Sequence, residues 1–477
     1  MKLRSPGRKR TRRVGRRRAT RSLCATATTL AVVLAMTAPP RTNAQDAAAP
    51  TLTDRLTRYF KAATARERSD ALAGIEESGA APDAVAAELS KLKLWIDLDK
   101  GASAIEVEAG WSRPIRCFVF VPPGYDPERR HPLMIVLPDE GGAAPCAGLT
   151  RDQLAGLCDP PAAIVSLEDV PEATFDAPGE EAAVVERLLT EFRRRVHVDE
   201  DRVYLLGAGV GADAAWQWAL SHPDVFAGLL VEDGYPRLPC ATQLLPLLFE
   251  NIPGLPVLSG WRASADLPDE PHPEGGILVR RETAVAAHNR AIRDWPGRKV
   301  HFSATEWPAD ANLAQRTHDP TTIRTFFNAR RPAPAKALTH RFRYPQQGRS
   351  AWLAQTRFLG EVWTHPQLSI LPGPTSDAET YITSVLKEKL ALLSGRIEDQ
   401  TITLEVTHCD RVEVLLSPGL VDLAKPVTLI CNGKRRYDGQ VRPSVTTMLE
   451  HARQTWSFQR PVIAKLAFNI DAAAMQP

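Results

Sequence analysis

Asp201-Arg202-Val203-Tyr204-Leu205-Leu206-Gly207-Ala208-Gly209-Val210-Gly211-Ala212-Asp213-Ala214-Ala215-Trp216 runs on through Leu220-Ser221-His222-Pro223-Asp224-Val225-Phe226-Ala227-Gly228. Val203 to Leu206 is a short apolar run of the kind that forms a buried strand, and Ala212 to Ser221 has helical composition and spacing. Between them, Gly207-Ala208-Gly209-Val210-Gly211 leaves only a few residues to turn from strand to helix. A turn that sharp needs backbone dihedrals that a side chain resists, and glycine supplies them.

Outward from this unit the pattern repeats. Cys117 to Val121 and the continuous apolar run Leu133 to Leu137 read as strands, the latter buried on both faces. Glu180 to Val196 reads as an amphipathic helix, and Gly228 to Val231, Pro256 to Leu258 and Val300 to Phe302 as further strands. Alternating strands and helices predict an α/β domain with a mainly parallel sheet covered by helices on both faces. Its expected span is 105–331. Before it, residues 45–104 predict a small helical module, since Leu56, Tyr59, Phe60 and Ala63 fall at helical spacing. After it, Pro332 and Pro334 mark a linker over 332–337. The remainder, 338–477, predicts a β-rich C-terminal domain: Thr401 to Thr407, Arg411 to Leu416, Val427 to Cys431 and Lys434 to Val441 read as strands, Asn432-Gly433 as a hairpin turn, and Val445 to Trp456 as a helix.

The strand-turn-helix, together with Asp201 to Gly207 and Trp216 to Gly228, resembles the nucleophile elbow of α/β-hydrolases, in the branch of secreted esterases, polyhydroxybutyrate depolymerases and prolyl-oligopeptidase-like enzymes. The resemblance covers roughly Trp111 to Arg331 and implies a Ser nucleophile, a later acid and a His near the domain end. Each position departs from that pattern. Gly209, between Gly207 and Gly211, stands where the Ser belongs. The acid would fall at Ala263, with Asp266 three residues late, and Asn312 falls where the His is expected, with His318 six residues further on. The oxyanion loop reads Pro138-Asp139-Glu140-Gly141-Gly142, so Asp139 and Glu140 place carboxylates beside the point where an oxyanion would form. Asp213, in the first turn of the helix, is expected to face the helix dipole. Trp216, Trp218 and His222 are expected to be packing residues.

Charge narrows the field of functions. The first 44 residues carry 12 Lys or Arg and no acid, leaving 47 basic against 56 acidic residues in the rest, a net charge of −9. A nucleic-acid partner is therefore not expected. The Arg-rich start, the apolar run Leu23 to Ala38 and Thr42-Asn43-Ala44 predict a cleaved export signal over 1–44, no lasting membrane span, and a periplasmic, extracellular or envelope location. Six cysteines then remain, Cys117, Cys146, Cys158, Cys240, Cys409 and Cys431, and some are expected to pair in an oxidising compartment. No C-x-x-C pair is present, so no zinc site and no cofactor is expected.

Three functions follow from these features. The leading one is an exported hydrolase-fold protein that has lost serine chemistry and uses the old cleft or the C-terminal domain to bind a ligand, polymer or envelope partner. The second is an active esterase or peptidase with a relocated nucleophile, Ser259 or Ser264, and His318 as base. The third is a structural envelope protein acting through 338–477.

Overall fold

The computed structural model describes residues 50–96, 98–108, 114–139, 149–168, 180–238, 240–264, 270–271, 277–278, 280–297, 300–312, 315–363 and 377–470. The export segment, Cys146, Glu140 to Gly142 and Asp266 lie outside them.

The helices are α1 (Leu52–Lys61), α2 (Ala65–Glu77), α3 (Pro82–Leu89), α4 (Arg151–Ala155), α5 (Glu180–Arg193), α6 (Val210–Ser221), α7 (Ala241–Phe249), α8 (Arg281–Asp294), α9 (Pro320–Asn328), α10 (Ala378–Lys389) and α11 (Val445–Thr455). The main sheet comprises β1 (Gly101–Val107), β2 (Ile115–Val121), β3 (His131–Leu137), β4 (Ala163–Leu167), β5 (Val198–Ala208), β6 (Gly228–Glu232), β7 (Pro256–Arg262) and β8 (His301–Trp307). Among the described residues these pair in the order β1-β2-β4-β3-β5-β6-β7-β8. β2 runs antiparallel to its neighbours β1 and β4, and the other pairings are parallel.

Side-chain alternation divides this sheet between two cores. Leu205, Leu229 and Val257 face α5, α6 and α7, while Tyr204, Leu206, Leu230 and Leu258 face α4 and α9. β3 is buried along its whole length, as its continuous apolar run predicts for a strand with helices on both faces. This is an α/β-hydrolase-like layout, with the sharp turn at the C-terminal end of β5.

Beyond it lie β9 (Ala337–Phe342), β10 (Leu353–Phe358), β11 (Ala391–Glu398), β12 (Thr401–Thr407), β13 (Cys409–Leu416), β14 (Val427–Cys431), β15 (Lys434–Gly439) and β16 (Ala464–Asn469). One sheet has the order β9-β11-β12-β14-β15, and the other joins β10, β13 and β16. Their inner faces share one apolar core. Asn432 and Gly433 both have positive φ, 50° and 74°, as a tight two-residue hairpin turn requires.

The segments differ from the sequence divisions in four places. β1 starts at Gly101, inside the expected helical module, and completes the main sheet. The expected linker ends in β9, because Ala337 already pairs with Arg396. Helices α1–α3 bury Leu56, Phe60, Ile75 and Leu89 against Met448, Leu449 and Trp456 of the C-terminal segment. Leu386 and Leu390, at the end of α10, join the core of the main sheet. Three short helices cannot close a core alone, and the C-terminal helix supplies the missing wall.

No disulfide forms among the described residues. Cys117 and Cys158 are buried in separate cores on opposite sides of the sheet. Burial pushes the thiols of Cys117 and Cys409 up to about 12 and those of Cys158 and Cys431 to about 11. These are packing residues held far from the thiolate form.

Candidate functional site

Gly209 forms the N-cap of α6 at φ 53°, ψ −122°, a conformation that favours glycine. Its neighbours are glycines for a different reason. A methyl group on Gly211 would lie 2.1 Å from the Leu137 carbonyl oxygen, and one on Gly207 would lie 2.5 Å from the Gly211 carbonyl oxygen. The helix start is pressed against β3 and β5 too closely for any side chain.

A methyl on Gly209 would itself lie 1.9 Å from Asp139 Oδ1 and 2.1 Å from its Cγ. The Asp139 carboxylate therefore occupies the space into which any side chain at position 209 would project. Val210 N–H, at the first position of α6, donates to Asp139 Oδ1 at 3.2 Å. In a serine hydrolase the N–H following the nucleophile is an oxyanion-hole donor. Here it already holds an anion, placed favourably at the positive end of a helix that has no side-chain cap of its own.

Beside the elbow, register brings Ala208, Glu232, Gly260 and Thr305 into one row across β5, β6, β7 and β8, with their side chains on one face. His318, in the loop between β8 and α9, fits into this row. Its Nε2 lies 3.5 Å from Glu232 Oε1, the two side chains being 0% and 5% exposed. Its Nδ1 lies 3.3 Å from Thr305 Oγ1, and its Cε1 would be 2.9 Å from a methyl on Gly260. The imidazole is thus enclosed between a carboxylate, a hydroxyl and the ring of Trp307.

A charged layer closes the same end of the sheet. Arg281 donates to both Asp213 oxygens, at 2.7 and 3.1 Å, and Tyr235 N–H adds a third bond to Oδ1 at 3.0 Å. Burial raises the pKa of Asp213 despite these donors. Burial also opposes the charge on Arg281, but its bonds to Asp213 outweigh that and raise its pKa. The two shifts pull the pair in opposite directions, and the bidentate geometry with its additional N–H donor favours the ionised pair. Asp233, at φ 50°, accepts from Arg262 Nε at 3.1 Å and Arg316 Nη1 at 2.8 Å.

Several positions read from the sequence lie elsewhere than expected. Asn312 is exposed, and its side chain accepts from Gln315 N–H at 3.2 Å to close a local turn. The imidazole that packs beside the elbow strands belongs to His318, as the longer loop carries it past the aligned position. Ser259 cannot pair with it. One residue from Gly260, Ser259 points to the opposite face of the sheet, where its hydroxyl donates to Asn289 Oδ1 at 2.9 Å. The polar groups that His318 meets are those of Glu232 and Thr305, and Ser264 is half-buried in the segment after β7. Asp213, positioned for the helix dipole, is instead claimed by Arg281. Trp216 and Trp218 are buried in the core. Glu232 and Asp233 were missed by sequence reasoning, although an acid pair ending a strand is a readable signal. The roles of Arg281 and Arg316 carry no local signal, since their partners are distant in sequence.

No family model and no curated relative matches this sequence. Solved structures are similar to parts of the chain. A thermostable esterase is 16% identical with a TM-score of 0.35, over 48% of this chain and 63% of that one. The enterobactin esterase of Shigella flexneri is 17% identical at a TM-score of 0.36, over 48% and 60%. An IroE-like serine hydrolase from Shewanella oneidensis is 12% identical at 0.37, over 47% and 80%. The chain thus spans less than two thirds of the first two of these proteins.

Proposed function

We propose that this protein is an α/β-hydrolase-fold protein without serine-hydrolase chemistry that acts by binding. The observation that carries this reading is Asp139: its carboxylate lies where a nucleophile side chain would stand and accepts the Val210 N–H. Acyl transfer needs a nucleophile, a base within reach and donors aimed at a developing oxyanion. Gly209 offers no nucleophile, His318 is enclosed against Glu232 and Thr305, and a fixed negative charge at Val210 opposes an incoming one. Such a site retains at most the ~10³ to 10⁴-fold effect of positioning that survives triad removal in serine proteases.

The Arg-rich start and the apolar run after it support export, and an envelope or extracellular ligand, polymer or protein as partner. Among the described residues, no helix is long and apolar enough to cross a membrane. The test is fluorophosphonate labelling of the purified protein, followed by mass spectrometry, with nitrophenyl ester hydrolysis alongside. No labelled serine and no turnover above a heat-denatured control is the expected result. A single labelled serine in the native protein would overturn the reading and name the relocated nucleophile.

A further inference from the structure

At the opposite end of α6, a cavity of about 430 Å³ opens between the main sheet and the C-terminal strands. α6 has 12 residues, so the cavity lies about 18 Å along the helix from the elbow. Its size falls within the range of small-molecule sites. Leu189, Leu255, Leu338, Trp352 and Leu415 form apolar wall, and the charged lining is unbalanced: Arg193, Arg330, Arg331, Arg349 and Arg460 against Glu186 and Asp224.

Three of these arginines are matched by acids of the main-sheet domain. Arg330 reaches Asp199 at 3.1 Å, while Arg460 and Arg331 reach Asp201 at 2.7 and 3.6 Å. The other two have no acid closer than 3.7 Å among the described residues. Arg193 donates through Nη1 to the Thr455 carbonyl at 3.0 Å, and its Nε is buried with no hydrogen-bond partner. Glu200 and Asp224 attract it at longer range, but the Glu200 carboxylate is already occupied by Ser457 Oγ and the N–H groups of Phe458 and Gln459. Arg349 has Glu186 only at 3.7 Å and donates through Nη2 to His451 Nε2 at 3.0 Å. Burial, with Arg349, Arg193 and Lys465 nearby, holds His451 down to about 3, so it accepts that bond as a neutral ring. An enclosed guanidinium short of acceptors is costly to keep, and an anion entering the cavity would relieve that cost.

We propose that this cavity binds an amphipathic anion, with a carboxylate or phosphate head held by Arg193 and Arg349 and an apolar body lying against Leu255, Leu338 and Trp352. Two guanidinium forks give the planar, multidentate contact that such heads favour. The proposal gives the binding role above a ligand class. It rests on that reading only for the role, because the cavity is physically separate from the elbow.

Calorimetric titration of the full chain with decanoate, decyl phosphate and decanol tests it. Saturable binding of at least one charged probe is expected, with none of decanol, and the tighter charged probe identifies the head. Arg193→Gln and Arg349→Gln should each weaken binding by about tenfold or more. Leu338→Trp should block binding by filling the apolar end while leaving both arginines in place. Unchanged melting temperatures would show that these losses are local, and a variant that unfolds is replaced as evidence by the other two. Absence of saturation by both charged probes up to millimolar concentration, equal binding of decanol, or unchanged affinity in the folded variants would overturn the proposal. These outcomes are independent of serine labelling, so failure of this inference and failure of the inactive-elbow reading are separable.

Discussion

The two ends of α6 face opposite electrostatic situations. At its start, beside Gly209, the chain fills its own cleft: Asp139 sits on the helix N-terminus, Asp213 grips Arg281, and Asp233 holds Arg262 and Arg316. At its finish, the chain leaves about 430 Å³ open and two lining arginines, Arg193 and Arg331, with a buried, unsatisfied Nε. A hydrolase fold would be expected to keep its vacancy at the first end and close the second. Here the arrangement is reversed, because Asp213 and Asp233 at the elbow end each meet arginines at 3.1 Å or closer, while Arg349 has Glu186 only at 3.7 Å and Arg193 has no acid within ion-pair distance among the described residues.

The comparison breaks if the elbow end is not in fact held by its internal pairs. Asp213→Ala should have the largest effect, since it leaves Arg281 facing a site whose carboxylate side chain was only 3% exposed. Breaking a buried pair costs about 3–5 kcal/mol, and a loss of about 3 is expected because Arg281 keeps 34% exposure. Urea denaturation measures it, and Asp213→Ala with Arg281→Met should recover part of the loss. A loss no larger than that of a surface ion pair would show that the filled end is held by packing alone.

The open end should instead respond to acid. His340 is buried at the Gln347 carbonyl with Asp224 and His222 nearby, and burial holds its pKa at about 4 against an ordinary 6.5. As pH falls below 6.5 the unfolded chain takes up a proton that the folded chain refuses until about 4. Stability is therefore expected to drop across that window, by up to about 3 kcal/mol from this residue. Chemical denaturation at a series of pH values should show the drop, and His340→Gln should make it shallower, leaving the share that comes from His451, which burial holds down to about 3. An identical pH slope in the variant would remove His340 from the account.

A third test sharpens the comparison at a single atom. Gly209→Ala should cost about 1–3 kcal/mol from its positive φ, with more from the collision with Asp139. Asp139→Gly should relieve the collision and leave the backbone cost, so the two changes should couple in a double-mutant cycle. Additivity would mean that the carboxylate is easily displaced. Gly209→Ser alone should create no esterase, and turnover of nitrophenyl esters by that variant would show that the enclosed His318 can still act as a base.

Much of the architecture was legible in local pattern. Leu133 to Leu137, Gly207 to Gly211 and Asn432-Gly433 each announce their element, because a fully buried strand, a sharp turn and a two-residue hairpin each restrict residue type directly. The seams between segments were not legible. Phe60 and Trp456 meet edge to face at 5.6 Å although they are far apart in the sequence, and nothing near either residue reveals the other.

By itself, the amino-acid sequence determined that the chain carries an α/β sheet with a sharp strand-to-helix turn, and that glycine stands at the centre of that turn. Both are properties of short windows, governed by side-chain periodicity and backbone dihedrals. Only the tertiary structure decided that Asp139 fills the space beside Gly209, that His318 rather than Asn312 packs beside the strands, and that the open cavity lies at the other end of α6. Those outcomes depend on which side chains meet across the fold, and Coulombic pairing and close packing act on distance in space rather than on distance along the chain.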